Sequence, residues 1–201
     1  MNTQNSSQNA SFNRSLLIIL VGLFFLTILA ILALNWTSGG VGMPWWMALV
    51  NALILSIPLG LIYASIYVLV RAWHAHAHSG QVDERLIKII HWAPRVTAIA
   101  IIFFISLFSL DVFDTQATTL QLLGGFLIHN IPSFVLLLIL FFAWRRPQIG
   151  FWTFLVAGFL FTVFFVRSIY ALSNFVLFVI PLWLIAGLFY ADWKISSPAH
   201  S

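Results

Sequence analysis

The sequence contains no cysteine, and only 7% of its 201 residues are charged. Without cysteine, a disulfide framework, a thiolate metal site and a cysteine nucleophile are excluded. A soluble domain carries about one-quarter charged residues, so nine basic and five acidic side chains are too few to cover a water-facing surface. These shortages exclude a soluble enzyme, a nucleic-acid-binding protein and a disordered chain.

The chain is instead 62% hydrophobic, and its apolar residues occur in long runs. A helix of roughly 20 apolar residues spans a bilayer, and the nine tryptophans suit a protein that meets two membrane–water interfaces. The fold class is therefore all-α, a polytopic transmembrane helical bundle. The first run is longer than the apolar region of a signal peptide, which favours an uncleaved first helix. The six predicted helices cover about 16–34, 45–70, 96–113, 122–143, 149–166 and 169–190.

Polar segments predict the domain organisation. Residues 1–13 are polar and lack the apolar content to fold, so they predict a disordered tail. An N-terminal transmembrane hairpin is expected over 14–73, and a cytoplasmic connector that contains histidines over 74–94. A four-helix transmembrane unit is expected over 95–194, followed by a polar tail over 195–201.

The connector also contains an amphipathic pattern at about 82–93. Leu86, Ile89, Ile90 and Ala93 fall on one helical face, and Pro94 is expected to end the run. We interpret this segment as a short helix that lies on the membrane surface.

The basic residues predict the orientation. With the N-terminus inside, eight of the nine lysines and arginines lie on the inner side, and Arg167 is the exception. Both termini are therefore expected in the cytoplasm, with the chain in the cell membrane. The expected partners are the lipid bilayer and either other membrane proteins or a second copy of the chain. No nucleic-acid partner is expected, because the basic residues form no patch.

A family resemblance is carried by five segments, which are His91-Trp92-Ala93-Pro94-Arg95, Ser106–Phe113, Ile128-His129, Ile131–Phe134 and Ala143-Trp144-Arg145. Through them, part of the chain resembles an uncharacterised family of small prokaryotic four-helix integral membrane proteins. The resemblance covers about residues 88–194 and implies a four-helix unit and a membrane location, but no activity. The first two helices are then an N-terminal addition.

A group of polar residues is expected in the outer third of the membrane, where ionisable groups usually face a bundle interior or a water-filled cavity. Three interpretations are open. The group is an interhelical polar clasp, or a proton or ion site in which Asp111 and His129 meet, since histidine titrates near neutrality, or a set of residues that do not interact. Its members are Asp111, Asp114, His129, Asn130, Ser133, Arg167 and Asn174.

The connector contains histidines at three alternating positions, His74, His76 and His78. On a helix, the first and third of these lie on one face at i, i+4, a spacing that can bind a divalent metal. The alternative is a solvated linker, so no cofactor is predicted and a divalent metal is left open.

Signatures of catalysis and active transport are absent from the sequence. It contains no glycine-rich phosphate loop and no GxSxG motif, and it has no mid-membrane pair of acids, no series of regularly spaced arginines and no inverted repeat. The leading hypothesis is therefore a non-enzymatic structural or accessory membrane component. The alternatives are a proton- or ion-coupled carrier that uses Asp111 and His129, and a metal-responsive protein that uses His74, His76 and His78.

Overall fold

The computed structural model describes residues 3–38, 44–79, 83–114, 116–167 and 174–196. Within these ranges the regular structure is helical, which confirms the all-α prediction. A 3-10 helix, Phe108–Asp114, follows α3, and a π-helix, Phe175–Val179, precedes α7. The α-helices are α1 (Thr3–Ser38), α2 (Trp45–Ser79), α3 (Glu84–Leu107), α4 (Thr119–His129), α5 (Ile131–Ala143), α6 (Pro147–Phe165) and α7 (Ile180–Ser196).

Several helices are long and apolar enough to cross a membrane. Five stretches meet this condition in the part of the chain that the structure describes, and α4 with α5 gives a sixth if the bent pair is one span. Length and composition are therefore compatible with five or six crossings. The five stretches are Ala10–Leu34, Trp45–Ala77, Glu84–Phe113, Pro147–Phe165 and Phe175–Ile195.

The chain divides into two compact units, with the boundary between Arg71 and Ala72. This boundary lies near the end of the predicted N-terminal hairpin. In the first unit, Thr27 Oγ1 and Tyr63 Oη form a hydrogen bond of 2.9 Å between α1 and α2. The ring of Phe24 packs edge-on against Tyr63, with 5.9 Å between the centroids.

The second unit, called here the C-terminal unit, has its core where α3, α5, α6 and α7 meet. Two glycines of α6 allow α7 to approach closely. A Cβ atom at Gly150 would lie 2.6 Å from the Phe189 ring, and one at Gly158 would overlap the indole of Trp183. Fully buried apolar side chains of the unit include Ile90, Ala98, Ile101, Phe154, Val179, Leu182, Ile185, Leu188 and Phe189.

The helix α3 runs without a break through Pro94. The prediction of a separate surface helix that ends there is therefore wrong. A mid-helix proline costs about 3 kcal/mol, but Leu86, Ile90 and Pro94 are buried at successive i, i+4 positions, and Ala98 continues the stripe. Burial of this continuous face offsets the lost backbone hydrogen bond.

The predicted fourth helix, 122–143, is broken. α4 and α5 meet at a bend of 44° around Asn130. Pro132 is the cause, because it lacks an N–H for the carbonyl of Ile128 and its ring crowds that carbonyl. α4 begins after Thr118, whose backbone N–H donates to Gln121 Oε1 at 3.0 Å, as in a capping box.

Three helices extend beyond the predicted limits. α1 begins at Thr3, within the segment predicted as a disordered tail. α2 continues to Ser79, through the histidines of the predicted connector. α7 continues to Ser196 and so includes the start of the predicted C-terminal tail. Most of that predicted tail, residues 197–201, lies outside the described residues.

Candidate functional site: two buried polar clusters

A buried ion pair joins α3 to α7. Arg95 Nη1 donates to Asp192 Oδ2 at 2.8 Å, and both side chains are 2% exposed. His91, one turn before Arg95, places Nδ1 at 3.2 Å from Asp192 Oδ1. It donates there when Nδ1 carries the proton. The guanidinium also donates to the backbone carbonyls of His91 and, at 2.8 Å, of Trp144. We call Arg95, Asp192, His91 and the Trp144 carbonyl the ionic cluster.

Aromatic rings enclose the guanidinium of the ionic cluster. The carbon at the centre of the Arg95 guanidinium lies 5.9 Å from the Trp144 ring centroid and 5.8 Å from that of Phe189. Both separations are within the range of cation–π attraction. Phe189 is fully buried and packs on Gly150 of α6. The cluster therefore connects α3, α6, α7 and the end of α5, at the end of the bundle predicted to face the cytoplasm.

Local sequence explains the geometry of the cluster. His91 and Arg95 are four residues apart on α3, so their side chains lie on one face. Asp192 follows Ile185, Leu188 and Phe189 on α7 at i, i+3, i+4 and i+7, and all four are buried. Sequence analysis did not identify this site. Arg95 was counted with the basic residues of the inner side, and Asp192 lies after the end of the predicted sixth helix, 169–190.

A second, uncharged cluster lies at the bend between α4 and α5. Asn130 is 3% exposed, and its Nδ2 donates to Ser109 Oγ at 2.5 Å and to the Phe126 carbonyl at 3.1 Å. Ser109 is 1% exposed and donates to the carbonyl of Ser106 at 2.6 Å. We call Asn130 and Ser109 the neutral cluster. It ties the 3-10 helix after α3 to the break before α5.

The other predicted members of the outer polar group take different positions. Asp111 is exposed, and so is His129, whose Nδ1 lies 2.9 Å from the carbonyl of Gly125 in its own helix. Among the described residues, no hydrogen bond or ion pair joins Asp111 to His129. Ser133 is 3% exposed, and its Oγ has no hydrogen-bond partner in the described part of the chain.

The remaining members of that group lie at the ends of helical segments. Arg167 is exposed in the turn after α6. Asn174 is half-buried at the start of the helical segment that leads into α7. Asp114 ends the 3-10 helix, and its side chain lies outside the described residues. Asn130 is the member of the predicted group that forms a buried cluster, and its partner is a serine that was not predicted to take part.

The three histidines of the predicted metal site all lie on α2. His74 is half-buried and His76 is exposed, while the side chain of His78 lies outside the described residues. Positions 74 and 78 share a helical face and position 76 does not. Across the described side chains, no three histidines or acids gather as a metal site would require. Metal binding stays a prediction.

Comparison with known families identifies the part of the chain that contains both clusters. Residues 83–199 match a family described as a domain of unknown function, DUF7670. The chain belongs to the DUF7670 family. No curated protein and no solved structure matches the chain.

The DUF7670 match begins just before α3 and includes α3 to α7. α1 and α2 precede it, which agrees with the interpretation of the first two helices as an N-terminal addition. Both the ionic and the neutral cluster therefore lie in the DUF7670 domain, which is described as a domain of unknown function.

Proposed function

We propose that the protein is a multi-pass component of a prokaryotic cytoplasmic membrane, with both ends inside. The proposal is supported by helices of spanning length and by eight of the nine basic residues, which fall in the sequence on the side of the predicted spans that the positive-inside rule assigns to the cytoplasm. Large apolar side chains on the surface, such as Phe141 at 73% and Phe164 at 78% exposed, suit contact with lipid.

Within that membrane we propose a non-enzymatic, structural or accessory role. The observation that carries this proposal is the ionic cluster. Arg95 directs its guanidinium to Asp192 and to two backbone carbonyls, and aromatic rings lie beside it. Groups engaged in this way hold helices together and are not presented to a substrate. The fully buried apolar side chains of α7 around them supply a packed interior.

The geometry gives less support to a carrier that uses Asp111 and His129. A coupled site needs ionisable groups that face a shared polar interior. His129 is instead exposed and bonded to its own helix, at a position where an apolar face would meet lipid. The neutral cluster nearby is better suited to a clasp than to proton transfer, because neither an amide nor a hydroxyl titrates near neutral pH.

Reporter fusions and a flux assay test the proposal. Fusions after Ser79 and after Arg145 should report the cytoplasm, and a fusion after Gln116 should report the opposite side. In proteoliposomes that contain a pH-sensitive dye, the wild type and His129→Ala should both leave a proton gradient intact. A wild-type flux that His129→Ala abolishes would replace the proposed role with the carrier. Inverted reporter signals would overturn the orientation.

A further inference from the structure

A groove lies at the turn between α5 and α6. It encloses about 560 Å³, and it combines two arginines with four apolar or aromatic side chains. Arg145 and Arg146 are both exposed. Neither of their side chains has a hydrogen bond or an ion pair within the part of the chain that the structure describes. The lining residues are Phe141, Phe142, Trp144, Arg145, Arg146 and Ile149, and we call this the arginine groove.

Because both cationic and apolar residues line the groove, a matching ligand needs an anionic group and an apolar part. A guanidinium group matches the oxygen geometry of a phosphate, which it can bind through paired hydrogen bonds. Phe141, Phe142 and Ile149 offer an apolar wall that a small inorganic anion would leave unused. A tryptophan at the rim, Trp144, is typical of the membrane–water interface.

We propose that the arginine groove binds an anionic phospholipid. The phosphodiester lies against Arg145 and Arg146, and the first methylenes of the acyl chains lie against Phe141, Phe142 and Ile149. The inference rests on the proposed membrane location, which places this turn at the cytoplasmic interface. Basic pockets between helices at that interface are suited to anionic headgroups.

Charge complementarity supports a lipid anion rather than a protein side chain. The five acidic residues of the chain are too few to neutralise its nine basic ones, and Asp192 is already bonded to Arg95. The uncompensated arginines lie directly beside apolar side chains, among them Phe142 at 57% exposed. An amphiphile with a negative headgroup satisfies both surfaces at once.

The groove is also connected to the ionic cluster. Trp144 lines the groove, while its carbonyl accepts from Arg95 and its ring lies beside the Arg95 guanidinium. A lipid bound here would therefore contact the residue that ends α5 and closes the cluster.

Equilibrium binding of a fluorescent lipid to the full-length chain in a zwitterionic detergent tests the proposal. Phosphatidylglycerol should bind at least about tenfold more tightly than phosphatidylcholine. The variant R145Q/R146Q should weaken phosphatidylglycerol binding about 25-fold, since each basic residue contributes about fivefold, and it should weaken phosphatidylcholine binding less, because choline neutralises the charge of the same phosphodiester. R145K/R146K keeps the charge and should retain most of the binding.

A matched control removes the same charge elsewhere. Arg85 and Lys88 are exposed on α3 and lie outside the groove. The variant R85Q/K88Q should therefore stay within about threefold of the wild type. Equal losses in the two double variants would show general electrostatic attraction and overturn the site. If R145Q/R146Q does not fold, the single variants R145Q and R146Q should each lose about fivefold, and no loss in either would also overturn it.

Two further experiments distinguish a lipid site from a free-anion site, and failure of the arginine groove from failure of the proposed membrane location. Inorganic phosphate at millimolar concentration should not displace phosphatidylglycerol, and full displacement would identify a free-anion site instead. Alkaline carbonate extraction of cell membranes tests the proposed location by itself. A chain that is released by carbonate overturns the membrane proposal, whereas a retained chain with no lipid selectivity overturns the arginine groove alone.

Discussion

The ionic and neutral clusters of the C-terminal unit hold helices together with different chemistry. The ion pair Arg95–Asp192 joins residues 97 positions apart in the sequence. The Asn130–Ser109 hydrogen bond joins residues 21 positions apart. A charged pair thus joins α3 to α7, which is distant in the sequence, whereas neutral groups join nearby segments at a bend.

The difference lies in what happens when one partner is lost. A buried charge without its partner carries a large desolvation cost, whereas an unpaired neutral group costs about 1–3 kcal/mol. A buried ion pair can be replaced by apolar residues at little net cost. The Arg95–Asp192 pair is therefore expected to be intolerant of a single substitution at either partner without being strongly stabilising as a pair.

The largest effect is expected from Asp192→Asn. The substitution keeps the shape of the side chain but leaves the Arg95 guanidinium, which is 2% exposed, without a counter-charge. We expect a loss of about 3–5 kcal/mol in the free energy of unfolding, measured in detergent micelles. Asp111→Asn is the matched control on an exposed acid, and it should change that free energy by less than about 0.5 kcal/mol.

A double variant tests the same ion pair. Arg95→Met with Asp192→Leu removes both charges and should recover most of the stability lost in Asp192→Asn. If Asp192→Asn costs less than about 1 kcal/mol, the two clusters are energetically equivalent and the contrast drawn here fails.

The next effect concerns the packing that encloses the ionic cluster. In Gly150→Ala, the new methyl would lie 2.6 Å from the fully buried Phe189 ring, which faces Arg95. Overpacking of this kind costs about 1–3 kcal/mol. Gly124→Ala is the matched control, because no neighbouring atom lies within 4 Å of the new methyl. In the same assay it should be neutral or stabilising, and equal losses at both glycines would show that helix packing around Phe189 is loose.

Composition and periodicity were sufficient to predict the helical fold and most helix positions. The predicted fifth helix, 149–166, differs by two residues or fewer at each end from α6, Pro147–Phe165. Two errors in the predicted helices occur at prolines. Pro94 lies inside α3 and Pro132 coincides with a 44° bend. A local pattern does not reveal whether tertiary burial offsets the missing hydrogen bond, as it does at the first site.

The polar sites were harder to predict because their partners come from distant segments. Nothing near Arg95 in the sequence indicates an acid 97 residues later. One signal was available. Asp192 continues the i, i+3, i+4, i+7 stripe of Ile185, Leu188 and Phe189. The pattern therefore puts an acidic side chain on a buried helical face, where it requires a cationic partner. Asn130 was predicted as a cluster member, but its partner, Ser109, carries no charge and gives no comparable signal.

A smaller loss is expected at the neutral cluster. Asn130→Ala removes the 2.5 Å bond to Ser109 and should cost about 1–2 kcal/mol in the same unfolding assay. Ser109→Ala should cost about 1 kcal/mol, and the double variant should cost less than the sum of the two, because both substitutions remove one shared bond. Strictly additive losses would show that Asn130 acts through the bend in the helix and not through Ser109.

The smallest effect is expected from His91→Ala, which lies in the ionic cluster but at its exposed edge. The imidazole is 48% exposed, and its Nδ1 is 3.2 Å from Asp192 Oδ1. Solvent screens such an interaction, so the loss should be about 0.5 kcal/mol, well below that of Asp192→Asn. Trp92→Ala, next to His91 and 54% exposed, is a control for general disturbance of this turn of α3. A loss at His91 as large as that at Asp192 would mean that the imidazole, and not the guanidinium, is the main partner of the buried carboxylate.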